Sequence, residues 1–167
     1  MALSTEIAVD AIQDFGYALN EVSIMRKNTT SMLSVETRIN DAELTTYWAD
    51  GLIAATPTGS TGYSLSNGGP VLTPDSPCFV LNPIAPHNIN LRPLIVPDTA
   101  FIDIRVNGRG THHLVSMDAR ILSVPMNTSI RLQKAPFSIQ TLQIHGNDFF
   151  QTLRNKLFWG YDTRNRQ

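Results

Sequence analysis

An all-β protein, folded as a two-layer antiparallel β-sandwich with short helices after a hydroxyl-rich loop and at the C-terminus, is expected from these 167 residues. Short apolar runs separated by turn residues recur at close spacing from residue 17 onward. In one run Ile102, Ile104 and Val106 alternate with Asp103 and Arg105, which puts apolar groups on one face of a strand and polar groups on the other. Asn40-Asp41 and Asn107-Gly108 are turn-forming pairs between such runs. Many short strands joined this way bury their apolar faces best by packing two sheets together.

Taken in order, Ile7, Ala8, Ala11, Ile12 and Phe15 recur at helical spacing after Ser4, an N-capping residue type, and predict a short helix over residues 5–14. Strands are expected at 17–26, 32–39 and 44–48, forming a meander. Leu52 to Ala55 is a short apolar strand that Pro57 ends, because proline has no N–H to give a ladder. Ser60 or Thr61 is placed to N-cap a short helix through Leu65. Further strands are expected at 78–82, 93–96, 101–107, 113–118, 119–124, 129–133 and 139–145. Asn147 or Asp148 can cap a final helix whose face is Phe149, Leu153 and Leu157, with Arg154 and Lys156 solvated.

The length suits one domain, residues 1–167, that buries roughly 70% of the surface its unfolded form exposes. Hydrophobic residues make up 42% and charged residues 16%, the balance of a soluble globule. With 13 basic and 14 acidic residues, no basic footprint for nucleic acid exists. Cys78 is the single cysteine and is expected to be a small core residue, in a reducing compartment. The first dozen residues lack a signal peptide's pattern and no run reaches the roughly 20 apolar residues of a membrane helix, so a cytoplasmic, membrane-free protein is expected.

The loop after Ala55 is the candidate site. Thr56 to Ser66 holds six Ser or Thr residues besides Tyr63, two glycines and no charge, a surface suited to a polar or anionic ligand. Known phosphate loops do not match: the lysine of a Walker loop is missing, and no Gly-x-Gly-x-x-Gly occurs. Thr58 stands where a Gly-x-Ser-x-Gly elbow around Ser60 needs glycine, which disfavours a serine hydrolase. His112-His113 sit on opposite faces of a strand and form no metal pair, while His87 and His145 are assigned no catalytic role.

Leu19-Asn20-Glu21-Val22, Asp50-Gly51, Thr56-Pro-Thr-Gly-Ser-Thr-Gly-Tyr63-Ser-Leu-Ser66, Gly68-Gly69-Pro70, Asn82-Pro-Ile-Ala-Pro-His87, Arg92-Pro93 and the Leu153 to Gly160 ending, in this order, resemble the C-terminal domain of NAD kinases. The resemblance covers nearly the whole chain. It implies a β-sandwich and a reaction in which the γ-phosphoryl of ATP, or of polyphosphate, moves to the adenosine ribose 2′-hydroxyl of NAD to give NADP. Mg²⁺ or another divalent cation accompanies ATP in such enzymes, and no metal is expected on this chain.

By the same resemblance Asn20 and Glu21 bond the ribose region of NAD. Asp50 contacts the nicotinamide end, partly across a subunit interface. Thr58 and Thr61 lie near the adenine, and Tyr63 and Ser66 line the phosphates and nicotinamide side. Gly62 stands where the family commonly has alanine. The family's Gly-Gly-Asp-Gly-Thr motif, whose aspartate orients the 2′-hydroxyl, is absent from these residues. No catalytic residue is therefore assigned, and the chain is expected to be the NAD-recognising part of a kinase, inactive alone, completed by an N-terminal domain and assembled as a dimer or tetramer. A stand-alone dinucleotide-binding or assembly module stays open as the alternative.

Overall fold

Two antiparallel sheets pack across one core in the computed structural model, which describes residues 2–7, 16–27, 31–140, 142 and 148–161. Among the described residues the first sheet runs β2 (Tyr17–Ala18), β1 (Leu3–Ile7), β12 (Ser129–Lys134), β9 (Ile102–Asn107), β4 (Leu33–Ile39), β5 (Ala42–Ala49). The second runs β11 (Arg120–Pro125), β10 (His112–Met117), β3 (Glu21–Arg26), β6 (Gly51–Ala55), β7 (Cys78–Ile84), β8 (Leu94–Pro97). The expected all-β sandwich with short helices is what forms. One turn of 3-10 helix (Thr58–Thr61) and the single-turn α1 (Tyr63–Ser66) follow β6, and α2 (Phe149–Leu157) lies near the C-terminus.

Alternation decides which faces are buried. Ile102, Ile104 and Val106 of β9 point inward with Val35 of β4 and Leu132 of β12, and meet Val22, Leu52 and Phe79 of the other sheet. Each such side chain contributes about 1.5–3 kcal/mol by leaving water. Asn40 and Asp41 both take left-handed backbone angles, φ 49° and 66°, as a two-residue hairpin between β4 and β5 requires. β6 differs from its neighbours in being buried at all five positions. Leu52 and Ala54 face the sandwich, while Ile53 and Ala55 join Val80 in a second cluster that Leu72 and Ile84 cover from outside.

The order β10-β3-β6 places the ends that matter side by side. Glu21 opens β3 opposite Ala55, the last residue of β6, and Val22 pairs with Met117, the last of β10. The chain entering β3, leaving β6 and leaving β10 therefore meet at one end of the second sheet.

Several expectations are corrected. Residues 5–7 of the expected helix belong to β1, where Thr5 faces Leu132 and Ser4 faces Tyr17; long-range pairing on both sides outweighs the weak helical period of a short segment. Residues 8–14 lie outside the described residues. The strand expected at 17–26 breaks at Leu19–Asn20, where Leu19 is exposed rather than core-like. β7 continues through Pro83 to Ile84. Residues 139, 140 and 142 are in no strand, and the rest of the run expected through His145 lies outside the described residues. Cys78 is half-buried, and burial followed by the Asp98 charge raises its thiol pKa. Asp148 caps α2 by accepting from the Gln151 N–H at 2.5 Å. Asn147 lies outside the described residues.

His113 is fully buried on β10, and neither ring nitrogen has a hydrogen-bond partner among the described residues. Burial, then the neighbouring His112, lowers its pKa to about 4. Between pH 6.5 and about 4 the unfolded chain holds a proton there that the folded chain does not, so stability falls as pH drops through that window. The loss amounts to at most about 3 kcal/mol. His113→Leu is expected to flatten the dependence of urea-unfolding free energy on pH between 7 and 4.5 relative to the parent. Parallel pH curves for the two proteins would refute this account of His113.

Candidate functional site

The hydroxyl-rich loop leaves β6 at Thr56 and turns twice, through Thr58–Thr61 and then α1. Its hydroxyl groups divide by direction. Thr56, Ser60 and Ser64 are fully buried and committed to the fold. Thr56 Oγ1 donates to the Leu19 carbonyl at 2.7 Å and accepts from the Gly59 N–H at 3.1 Å. Ser60 Oγ donates to the Pro57 carbonyl at 2.6 Å and accepts from the Leu72 N–H at 2.9 Å, so it is no nucleophile but a clamp across the loop. Ser64 receives the side-chain amide of buried Asn82, whose Nδ2 lies 2.9 Å from the Ser64 carbonyl and 3.2 Å from its Oγ.

Thr58, Thr61, Gly62, Tyr63 and Ser66 instead face solvent. They are the loop positions singled out from the sequence. The expected N-cap at Ser60 or Thr61 does not form: Pro57 precedes the 3-10 turn and Gly62 precedes α1, neither with a side-chain cap. Thr61 Oγ1 turns back to the Thr58 carbonyl at 3.2 Å. Pro57 takes the cap position because its fixed φ, here −55°, already suits a helical turn.

Against this loop lies the Leu19–Asn20 bend that leads into β3. The Asn20 carbonyl accepts the Thr56 N–H at 2.8 Å. Gly59 sits over the same carbonyl so closely that a Cβ there would fall 2.0 Å from the oxygen. From the opposite side, the Asp118 carboxylate accepts the N–H groups of Leu19 and Asn20, each at 2.8 Å, and of Glu21 at 3.2 Å. The Arg120 guanidinium, further along the same hairpin, donates to the Tyr17 carbonyl.

Glu21 is the group with unspent capacity. Its Oε2 is buried without a hydrogen-bond partner among the described residues, and a Cβ on Gly62 would lie 3.3 Å from it. Burial, and secondarily the Asp118 charge, raises the Glu21 pKa. A carboxyl placed so accepts hydrogen bonds from a ligand hydroxyl or amide without first losing a protein partner. The structure thus brings Asn20 and Glu21 beside the turn that carries Thr58, Thr61 and Gly62, with Tyr63 and Ser66 following on α1.

Asp50 stands apart from this group. It occupies the corner between β5 and β6, and the five residues of β6 span roughly 16 Å between it and Thr56. There it pairs with Arg26 at 3.0 Å, both side chains partly exposed, a contact of the kind that contributes little to stability. His87 is exposed and its N–H donates to the Trp48 carbonyl at 2.8 Å. Among the described residues no group of three His, Cys, Asp or Glu side chains is placed to hold a metal ion. Asp118 was not singled out from the sequence. The sequence makes it the last residue of an expected strand over 113–118, whereas the structure puts Asp118 and Ala119 in the turn between β10 and β11; nothing local ties it to a bend 98 residues earlier.

The family model described as the ATP-NAD kinase C-terminal domain matches residues 19–144. The chain is 57% identical over 148 residues to an NAD kinase of Christiangramia forsetii, covering 89% of this chain and 50% of that protein. It is 50% identical over 165 residues to an NAD kinase of Flavobacterium psychrophilum, covering 99% and 56%. The chain therefore spans about half the length of the curated relatives it matches. Among solved structures, yeast NADH kinase complexed with NADH superposes with a TM-score of 0.84 at 25% identity, over 99% of this chain and 51% of that one. An NAD kinase from Archaeoglobus fulgidus in complex with ATP gives 0.70 at 31% identity, over 81% and 51%.

The seat of Gly59 on the Asn20 carbonyl sets a direct check of the site's construction. Gly59→Ala must push its methyl group into that oxygen, and is expected to lower stability by about 1–3 kcal/mol in urea unfolding, as overpacked positions do. An unchanged midpoint would show that the loop is not seated on the bend.

Proposed function

This chain belongs to the ATP-NAD kinase C-terminal domain family, and from that premise we propose that it is the NAD-recognising portion of a kinase that moves a phosphoryl group from ATP, or polyphosphate, to the adenosine ribose 2′-hydroxyl of NAD, giving NADP. The observation that carries the reading is the unpartnered carboxylate oxygen of Glu21 beside the solvent-facing set Thr58, Thr61, Gly62, Tyr63 and Ser66. Asn20 and Glu21 bond ribose hydroxyls in this reading. The outward hydroxyls of Thr58 and Thr61 serve the adenine end, and Tyr63 and Ser66 serve the phosphates and nicotinamide side.

Phosphoryl transfer depends mainly on alignment and on neutralising phosphate charge, and a divalent cation such as Mg²⁺ carried with ATP supplies the latter. In this reading that ion arrives with the nucleotide. No Gly-Gly-Asp-Gly-Thr occurs in the chain, and the group that orients the 2′-hydroxyl is assigned to another domain. A cytoplasmic setting belongs to the same reading; among the described residues no helix is long and apolar enough to cross a membrane.

The position of Asp50 supports a homo-oligomer, dimer or tetramer. It lies at the far end of β6 from its own chain's loop, where a second copy's ligand can reach it. Light scattering is expected to give at least twice the 18.5 kDa of one chain. A folded chain that stays monomeric at high concentration would sink the shared-site role of Asp50.

Function itself is tested with the purified chain. It is expected to bind NAD, and to yield no NADP when incubated with ATP, Mg²⁺ and NAD and coupled to an NADP-specific dehydrogenase. Tyr63→Ala, a truncation at an exposed position, is expected to weaken NAD binding by about 1–3 kcal/mol, roughly five- to 150-fold, with its melting temperature unchanged. NAD binding indifferent to Tyr63→Ala would refute its placement in the site. Turnover abolished by Glu21→Gln would show that the catalytic group lies in this chain after all.

A further inference from the structure

Resting on the reading that Asn20 and Glu21 meet the dinucleotide, we propose that Asp118 is the positioning residue of that site: its carboxylate, carried on the β10–β11 turn, fixes the bend that presents Asn20 and Glu21 to the ligand. Three successive N–H groups, of Leu19, Asn20 and Glu21, converge on its two oxygens at 2.8, 2.8 and 3.2 Å. Consecutive amides that point to one centre form an anion-binding concavity, and here the anion belongs to the chain itself. Bonds of this kind to an ionised acceptor are shorter and stronger than those between neutral groups.

The carboxylate is itself held from its backbone. Asp118 takes a left-handed φ of 52°, a conformation in which aspartate is enriched. Its N–H donates to the Glu21 carbonyl at 3.0 Å, and Ser116 Oγ donates to the Asp118 carbonyl at 2.9 Å. Bend and turn are thereby locked reciprocally, each donating to the other.

What the lock serves is read from its neighbours. Leu19 is exposed and Asn20 and Glu21 are half-buried, so the bend adds little to the apolar core. Its side chains instead stand at the site loop, where Glu21 Oε2 lies unpartnered next to Gly62. A shift of the bend by an ångström would carry that oxygen away from its place beside Gly62. The Asp118 carboxylate spends its hydrogen bonds on the bend's N–H groups, and Asp118→Asn, which removes its charge on Glu21 but keeps an acceptor oxygen, separates positioning from that charge.

The test uses the ¹⁵N-labelled chain titrated with NAD. Asp118→Ala is expected to stay folded by its core amide dispersion, to move the Asn20 amide resonance upfield as its charged acceptor is lost, and to raise the Kd for NAD at least about tenfold. Asp118→Asn keeps an oxygen able to accept from Asn20 and Glu21 and is expected to recover most of this, to within about threefold of the parent. An alanine variant that is folded and binds NAD as the parent does overturns the proposal. So does an equal loss in both variants that merely tracks their loss of stability. Should the alanine variant not fold, Asp118→Gly, which suits the left-handed φ of that position, takes its place: a Kd equal to the parent's overturns the proposal, and a raised Kd with an upfield Asn20 amide supports it. If Asn20→Ala and Glu21→Gln both leave the Kd unchanged, the underlying site assignment fails and the proposal with it; if they raise the Kd and Asp118→Ala does not, the positioning role alone fails.

Discussion

The end of the second sheet is assembled around the peptide groups of one bend, Leu19 to Glu21. Two of its acceptors go one way: the Leu19 carbonyl takes the Thr56 hydroxyl and the Asn20 carbonyl takes the Thr56 N–H, while the Glu21 carbonyl takes the Asp118 N–H. Its donors go the other way, to Asp118. Buried backbone groups must find partners, and here that requirement joins three segments far apart in sequence. With the main chain so occupied, the Glu21 carboxyl beside Gly62 is left with an oxygen that no described residue engages. Gly59 completes the arrangement because any larger residue would contest the Asn20 carbonyl.

The second constraint is the burial of β6 on both faces. An antiparallel sandwich strand ordinarily shows one face to water. Ile53 and Ala55 do not, because the chain after α1 returns across the sheet and sets Leu72 over them. Ser60 ties that return down by accepting the Leu72 N–H, and Asn82 ties α1 to β7 through Ser64 and Asn67. The candidate site loop is thus tied through Ser60 to the Leu72 cover of a small apolar cluster, which gives it a share in the cooperative core.

How far these features could be read in advance depends on whether their cause is local. Alternation at Ile102, Ile104 and Val106 and the turn at Asn40-Asp41 are short-range signals, and the sandwich follows from them. β1 was misread because its cause is remote: Thr5 is made a strand residue by Leu132, and a stretch of mixed Ala and Ile reads equally as a helix face. The hydroxyl-rich loop was visible as composition, yet composition does not say which hydroxyls turn inward. Ser60, disfavoured as a nucleophile by Thr58 in the sequence, proves to have its oxygen bound on both sides. Asp118 carried no signal, since an aspartate at the end of an expected strand says nothing of a partner 98 residues away. Asp50 was legible as a motif, while its distance from the loop required the strand between them to be seen.

The interleaving of buried and outward hydroxyls along one loop bears on how such a surface can change over generations. Thr56, Ser60 and Ser64 answer to the fold, whereas Thr58, Thr61 and Ser66, each one or two positions from one of them, face solvent and are free of that demand. Exposed positions ordinarily accept substitution at a cost within about 0.5 kcal/mol, while buried polar anchors do not. Selection can therefore act on the two sets independently. A ligand preference set at the outward positions can drift, or be engineered, while the scaffold beneath stays silent to the change.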